Sequence, residues 1–331
     1  MKSEFGAPKE LTSILQRKNR KINMRQKDLN FLDRNEFNYS PSKEVVEALK
    51  NFDINKLCFY TRIYDEGKKS ILSVFLSELY DIDETQVLLG YGGEDILKQA
   101  VHYFLTEEDG NKTMLIPKFS WWYYKSIADE VNGRTLQYPL YEDGNTFKYD
   151  FAAMKDMIQK ENPKILLLAS PNNPTGNGLT PEELDELLAE VPAKTKVLID
   201  EAYASFVSTD TRYIKELVNK YPNLIISRTL SKFYGLPGLR MGFGFMSKEL
   251  EKFSRYSKGC FRNGENKKIE CICTPNGTSK PIRRLCCIRR QIKIIQSLLI
   301  CSYDKKCNII CKYIKIHTIK VTFCKIKQQI A

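Results

Sequence analysis

Lys232 closes the run Ser227-Arg-Thr-Leu-Ser-Lys232, and glycines follow it at 235, 238, 242 and 244. A lysine on a loop is ordinarily only solvated. Set among residues that let the backbone approach a ligand closely, it can condense with a carbonyl and then act as a base at the carbon it has activated. The only histidines, His102 and His317, lie outside this region, so lysine is the natural proton carrier. Upstream, the apolar run Lys196-Val-Leu-Ile199 ends on Asp200, where an ionised carboxylate is costly unless a cation pairs with it. The alternative for Asp200 is a carboxylate that caps the next turn. Tyr203, three residues on, can donate its hydroxyl to an anionic oxygen or simply pack. Asn173 sits in Ser170-Pro-Asn-Asn-Pro-Thr-Gly176, where two prolines restrict the backbone and its amide can donate to the same oxygen. Asn172 reads as a turn residue.

A second group of residues suits an anion. Gly92-Gly93-Glu94 lies between a strand signal and a helix signal, so the amides of Gly93 and Glu94 can face a phosphate at a helix start. Thr229 and Ser231 add hydroxyl donors, and Arg240 offers a planar fork that matches phosphate oxygens. Phe119, after Pro117-Lys118, has a flat ring that can stack on an aromatic ligand, whereas at least two of Trp121-Trp-Tyr-Tyr124 read as core packing. An amine for an aldehyde, a carboxylate for a ring nitrogen, donors for a ring hydroxyl and a phosphate cup together suit pyridoxal 5′-phosphate. No metal site is expected.

These residues must be positioned by elements that the pattern also predicts. Val87–Gly93 reads as a strand and then a turn, Thr113–Ile116, Lys164–Ala169, Lys196–Ile199, Leu224–Ser227 and Met241–Met246 read as strands, and helices are expected over 42–51 and 94–105. Thr180-Pro-Glu-Glu183 opens another helix, with a threonine cap, proline at the first helical position and a glutamate that completes a capping box. The strands are continuous apolar runs rather than alternating ones, as a parallel sheet covered on both faces requires. The chemistry falls at their carboxyl ends, where open α/β sheets bind ligands.

Composition divides the chain. Of 52 basic and 40 acidic residues, 16 and 3 lie in 259–331, so the formal +12 belongs wholly to that stretch. Nine of ten cysteines fall there too, and no glycine or proline occurs after Pro281. Cys58 is the one cysteine upstream, which excludes a disulfide framework for the rest. No run reaches the roughly 18 apolar residues of a membrane span. The opening Met1-Lys-Ser-Glu-Phe5 has no apolar signal core, and residues 9–27 read as a basic solvated arm, so a cytoplasmic protein is expected. The tail's cysteines form no paired Cys-x-x-Cys set that would argue for zinc, and its aromatics are too sparse to argue for nucleic acid. Lysine- and isoleucine-rich text of this kind is what AT-rich DNA encodes out of frame, so the expectation is a non-native sequence from about residue 257.

By these motifs, residues 30–250 resemble the histidinol-phosphate aminotransferases. The matching text is Leu32-Asp-Arg-Asn-Glu-Phe37, Gly90-Tyr-Gly-Gly-Glu-Asp95, Pro117-Lys-Phe119, Ser170–Gly176, Asp200–Tyr203 and Arg228–Gly242. The resemblance implies the type I pyridoxal-phosphate-dependent transferase fold, a mostly parallel α/β sheet sandwiched by helices, with a small C-terminal domain whose place a different sequence is expected to take here. It implies an arm at 1–35, a cofactor domain at 36–250 and the small-domain position at 251–331. By it, Lys232 carries the cofactor, Asp200 meets the pyridine nitrogen, and Asn173 and Tyr203 hold the ring hydroxyl. Thr229, Ser231, Arg240 and the amides of Gly93 and Glu94 hold the phosphate. Phe119 stands where the family stacks a tyrosine, and Tyr64, in Arg62-Ile-Tyr-Asp65, resembles the arm residue that reaches the neighbouring subunit's cofactor. The implied protein is a homodimeric aminotransferase of histidine biosynthesis with small amino- and keto-acid substrates, binding neither nucleic acid nor membrane. The small domain's substrate-gripping arginine has no counterpart in 259–331, so an enzyme without its substrate clamp, or a related aminotransferase or threonine-phosphate decarboxylase, stays open.

Overall fold

The computed structural model describes residues 34–37, 39–55 and 67–261. Tyr64, the basic arm at 9–27 and the cysteine-rich tail from 262 lie outside the described residues. The chain divides into two units, Met1–Asn38 and Tyr39–Ala331. Of the first, the described part is a short turn with Asn35 at φ 51°. All elements below belong to the second.

Nine strands and nine helices are described. The strands are β1 (Val87–Gly90), β2 (Thr113–Pro117), β3 (Arg134–Tyr138), β4 (Leu140–Asp143), β5 (Thr146–Tyr149), β6 (Ile165–Ala169), β7 (Lys196–Asp200), β8 (Leu224–Thr229) and β9 (Gly242–Met246). The helices are α1 (Lys43–Lys50), α2 (Ile71–Tyr80), α3 (Gly93–Thr106), α4 (Tyr123–Asp129), α5 (Phe151–Glu161), α6 (Pro181–Glu190), α7 (Ala204–Val207), α8 (Arg212–Lys220) and α9 (Glu251–Phe261). Seven strands form one sheet in the order β1-β9-β8-β7-β6-β2-β3, and β4 pairs with β5 in a separate hairpin. Every pairing in the large sheet is parallel except the two that β9 makes with β1 and β8. The expected mostly parallel α/β sheet with helices on both faces is therefore what the chain forms.

Alternate residues of each strand supply two core layers. Leu115, Leu166, Leu168, Val197, Ile199, Ile226 and Phe245 pack on one face with α2, α5, α6 and α8. Met114, Ile116, Leu167, Leu198, Ile225 and Met246 pack on the other with α3, α4 and Phe253 of α9. Because both faces are dry, the strands lack polar alternation, which is why they read as unbroken apolar runs. The α6 start has the predicted capping box: the Glu183 N–H donates to Thr180 Oγ1 at 3.2 Å, and the Thr180 N–H donates to Glu183 Oε2 at 2.8 Å.

The topology brings the chemistry to one edge. Since β6, β7 and β8 run parallel, Ala169, Asp200 and Thr229 all end at the same rim. The antiparallel β9 starts there, with Gly242 opposite both Thr229 and Gly90. The rim thus collects the turns after β1, β6, β7 and β8 and the turn before β9.

Candidate active site

Asp200 is the electrostatic centre of the rim. It is 7% exposed, and its Oδ2 accepts a 2.7 Å hydrogen bond from the Tyr124 hydroxyl of α4. Its Oδ1 accepts from the Ala202 N–H at 3.0 Å. Burial pushes its pKa above the ordinary carboxylate value, while Tyr124, Ala202 and the Lys232 charge pull it down. A group held this way can keep a cation such as a protonated ring nitrogen. Lys232 is near enough for its charge to act on Asp200, and its ammonium is 5.7 Å from the centre of the Tyr203 ring. Asp200, Lys232 and Tyr203, separated by up to 32 positions along the chain, are thus neighbours.

Close backbone approach builds the second half of the site. A Cβ on Gly242 would stand 2.1 Å from Gly92 C and 2.4 Å from Gly93 N, so only glycine lets β9 touch the turn that opens α3. Gly92 caps α3 at φ 95°, a conformation that suits glycine. The Thr229 and Ser231 hydroxyls are 3.0 Å apart, and the Ser231 N–H donates to Thr229 Oγ1 at 3.1 Å. Arg240 reaches the same turn: its Nη2 donates to the Tyr91 carbonyl at 3.3 Å and pairs with Glu94 Oε1 at 2.8 Å. Arg240 sits at φ 49°, a left-handed conformation uncommon for arginine and of the kind that gathers at functional sites. Helix-start amides, two hydroxyls and a guanidinium on one rim suit a phosphate. Glu94, expected to lend only its amide, also places its carboxylate on Arg240.

The turn after β6 is laced together around Asn172. The Asn172 N–H donates to the Asn177 carbonyl at 2.7 Å, the Gly176 N–H donates to the Asn172 carbonyl at 2.8 Å, and the Asn172 amide donates to Thr175 and to the Phe119 carbonyl. Asn173 is left half-buried on this turn, one strand away from Asp200. Phe119 is partly exposed, and its ring meets the Phe147 ring of β5 at 6.0 Å and the Lys118 ammonium at 5.4 Å.

Two features escape a reading of the sequence. Tyr124, read there as one of a packing run, is the hydroxyl that bonds Asp200. Behind the rim, Glu201 and Arg228 form an ion pair at 3.1 Å, with side chains 2% and 4% exposed. The Tyr213 hydroxyl donates to Glu201 at 2.7 Å, and Arg228 donates to the Tyr80 hydroxyl at 3.1 Å, whose pKa burial raises to about 12. The pair follows from the strand register: Asp200 pairs with Ser227, so the next residues of the two strands, acid and base, are adjacent.

Residues 27–258 match the family model for aminotransferase class I and II. This chain belongs to that family. It is 35% identical over 205 residues to histidinol-phosphate aminotransferase 1 of Mannheimia succiniciproducens, covering 62% of this chain and 54% of that protein. It is 33% identical over 223 residues to the histidinol-phosphate aminotransferase of Staphylococcus carnosus, covering 67% and 60%. The chain therefore spans little more than half the length of the first of these relatives. In fold it is similar to the crystal structure of histidinol-phosphate aminotransferase from Sinorhizobium meliloti in complex with pyridoxal 5′-phosphate, with a TM-score of 0.60 at 20% identity, covering 87% of this chain and 66% of that one. It is also similar to L-threonine-O-3-phosphate decarboxylase from Porphyromonas gingivalis, at TM-score 0.50, 22% identity and coverage of 73% and 68%. Among the described residues no helix is long and apolar enough to cross a membrane, and no acidic, histidine and cysteine cluster could hold a metal.

Proposed function

We propose that this chain is a pyridoxal-phosphate-dependent aminotransferase that converts L-histidinol phosphate and 2-oxoglutarate to imidazole acetol phosphate and L-glutamate. The observation that carries the reading is the buried Asp200, held by Tyr124 beside Lys232 on the rim that also carries the Gly92-Gly93 turn and Arg240. When bound, the cofactor supplies an electron-withdrawing ring that stabilises negative charge at the substrate's α-carbon. Asp200 would keep the proton on the ring nitrogen. Asn173 and Tyr203 would hold the ring hydroxyl, and Phe119 would lie against the ring. Gly93 and Glu94 amides, Thr229, Ser231 and Arg240 would bind the phosphate, which requires Arg240 to share its guanidinium with Glu94. Lys232 Nζ would hold the aldehyde end and then move the proton at the substrate's α-carbon. The substrate assignment rests on the relatives' names, and it extends to a cytoplasmic homodimer in which Tyr64 reaches the neighbouring subunit.

We also propose that residues 36–250 are the cofactor domain and that the text from about 257 is out of frame. The family match ends at 258, beside this change in composition. Resequencing the coding DNA across the join should reveal a frame-restoring base, and an unbroken frame refutes that part.

The function is tested by the absorbance of the purified chain with pyridoxal phosphate, then with glutamate and with histidinol phosphate. A lysine-bound cofactor band that Lys232→Ala removes and that both amino donors bleach is expected. A band indifferent to both donors means a cofactor domain without its substrate clamp, and no band overturns the reading.

A further inference from the structure

We propose that Tyr124 is a positioning residue that keeps Asp200 available as the anionic partner of the cofactor's ring nitrogen. The inference rests on the cofactor reading above. Tyr124 lies on α4, 76 positions from Asp200, and belongs to none of the motifs that carry the family resemblance. Its side chain is buried between the second core layer and the rim, so its hydroxyl has been taken out of water. There it donates to Asp200 Oδ2 at 2.7 Å, within the range of hydrogen bonds to a charged acceptor. The phenol itself cannot supply charge: burial, then the Asp200 carboxylate, hold its pKa well above the ordinary value. Tyr124 is therefore a fixed donor.

The groups that face Asp200 leave this donor a distinct part. Lys232 from the turn after β8 favours the carboxylate but, in the role proposed above, would change partners during the chemistry. The adjacent Glu201 carboxylate disfavours a second buried charge, and Tyr149 from the end of β5 gives its hydroxyl to the Ala169 carbonyl. Constant support comes from the Ala202 N–H on Oδ1 and from Tyr124 on Oδ2. Without Tyr124, Oδ2 would be desolvated with one stabilising donor fewer, and the carboxyl would take up its proton at a higher pH.

The test is a pH profile of pyridoxal phosphate affinity for four forms of the full chain: wild type, Tyr124→Phe, Asp200→Asn and the double variant. Affinity should fall on the acid side as Asp200 protonates, and Tyr124→Phe should move that limb up by about one pH unit, a tenfold loss of affinity within it. In the Asp200→Asn background the same substitution should change nothing, because the coupling exists only through the carboxylate. A merely structural tyrosine would weaken binding alike in both backgrounds without moving the limb, and that result, or an unmoved limb, overturns the proposal. If phenylalanine at 124 does not fold, 3-fluorotyrosine at 124 keeps the shape with a stronger donor and must shift the limb the other way. Wild type that binds no pyridoxal phosphate at any pH overturns the cofactor reading itself and this proposal with it.

Discussion

Gly242→Ala should damage both the fold and the site, whereas Gly238→Ala, four residues earlier, should do neither. The added methyl at 242 would stand 2.1 Å from Gly92 C, 2.3 Å from Gly92 O and 2.4 Å from Gly93 N. Non-bonded carbons settle at about 3.5–4.0 Å, so β9 and the turn would have to part by roughly 1.4 Å. None of these atoms is the end of a flexible side chain; all are backbone. Overpacking of this kind costs about 1–3 kcal/mol, and the absence of any yielding neighbour puts Gly242→Ala near the upper figure. For a domain of roughly 200 residues that is a fall in Tm of about 6–12 °C. The same displacement pulls Gly93 from Thr229 and Arg240, so affinity for pyridoxal phosphate should drop along with stability. At Gly238 nothing lies within 4 Å, and alanine there should be neutral or stabilise by up to about 1 kcal/mol. Urea titration of the three proteins, followed by cofactor titration, is the assay. Gly242→Ala with a midpoint and affinity equal to those of Gly238→Ala would refute the argument.

Arg240→Ala should weaken pyridoxal phosphate by about tenfold, the lower end for a charge-assisted contact because the guanidinium is partly exposed, and leave unphosphorylated pyridoxal unchanged. Equilibrium titration with the two ligands separates a phosphate contact from general damage. Glu201→Gln should cost about 3–5 kcal/mol in urea titration, because it strands the buried Arg228 charge. Recovery of most of that loss in Glu201→Gln with Arg228→Met would show that the stranded charge is the cause. Asp200→Asn should stabilise the cofactor-free chain at neutral pH while abolishing activity, since burial raises the Asp200 pKa. The sign follows from proton linkage: the folded state holds this proton more tightly than the unfolded state. The ionised group therefore costs stability above its folded pKa, and that cost is relieved as pH falls toward the unfolded value of 3.8. Melting curves across that window should be flatter for Asp200→Asn; an unchanged slope would contradict the assignment.

What was legible in the sequence followed from how locally each feature is encoded. Leu166–Leu168 and Val197–Ile199 announce buried strands because both their neighbours and their faces are apolar. Thr180 and Glu183 announce a helix start because a capping box spans four residues. The edge strand β3 was missed: its residues, Arg134-Thr-Leu-Gln-Tyr138, are half exposed and mixed in character. The β4–β5 hairpin was missed although Asp143-Gly144 is a turn signal, since its short strands bury little. The Tyr124–Asp200 and Glu201–Arg228 bonds depend on which strands become neighbours and on which helix covers them. Neither relation is stated by any single window of residues.

The reversed strand β9 also sets a schedule. β1 is made early, yet among the described residues its one partner in the sheet is β9, some 150 residues later. As the chain leaves the ribosome, β2, β6, β7 and β8 can pair in succession, while Val87–Gly90 waits with an open ladder. Closing it means closing a loop that encloses nearly the whole domain, the slow kind of contact in folding. Gly242 is the first residue of the strand to arrive, so the contact that completes the sheet is the same one that shapes the anion cup. A nascent chain halted before β9 would carry Lys232 and Asp200 already written and still be unable to grip a phosphate.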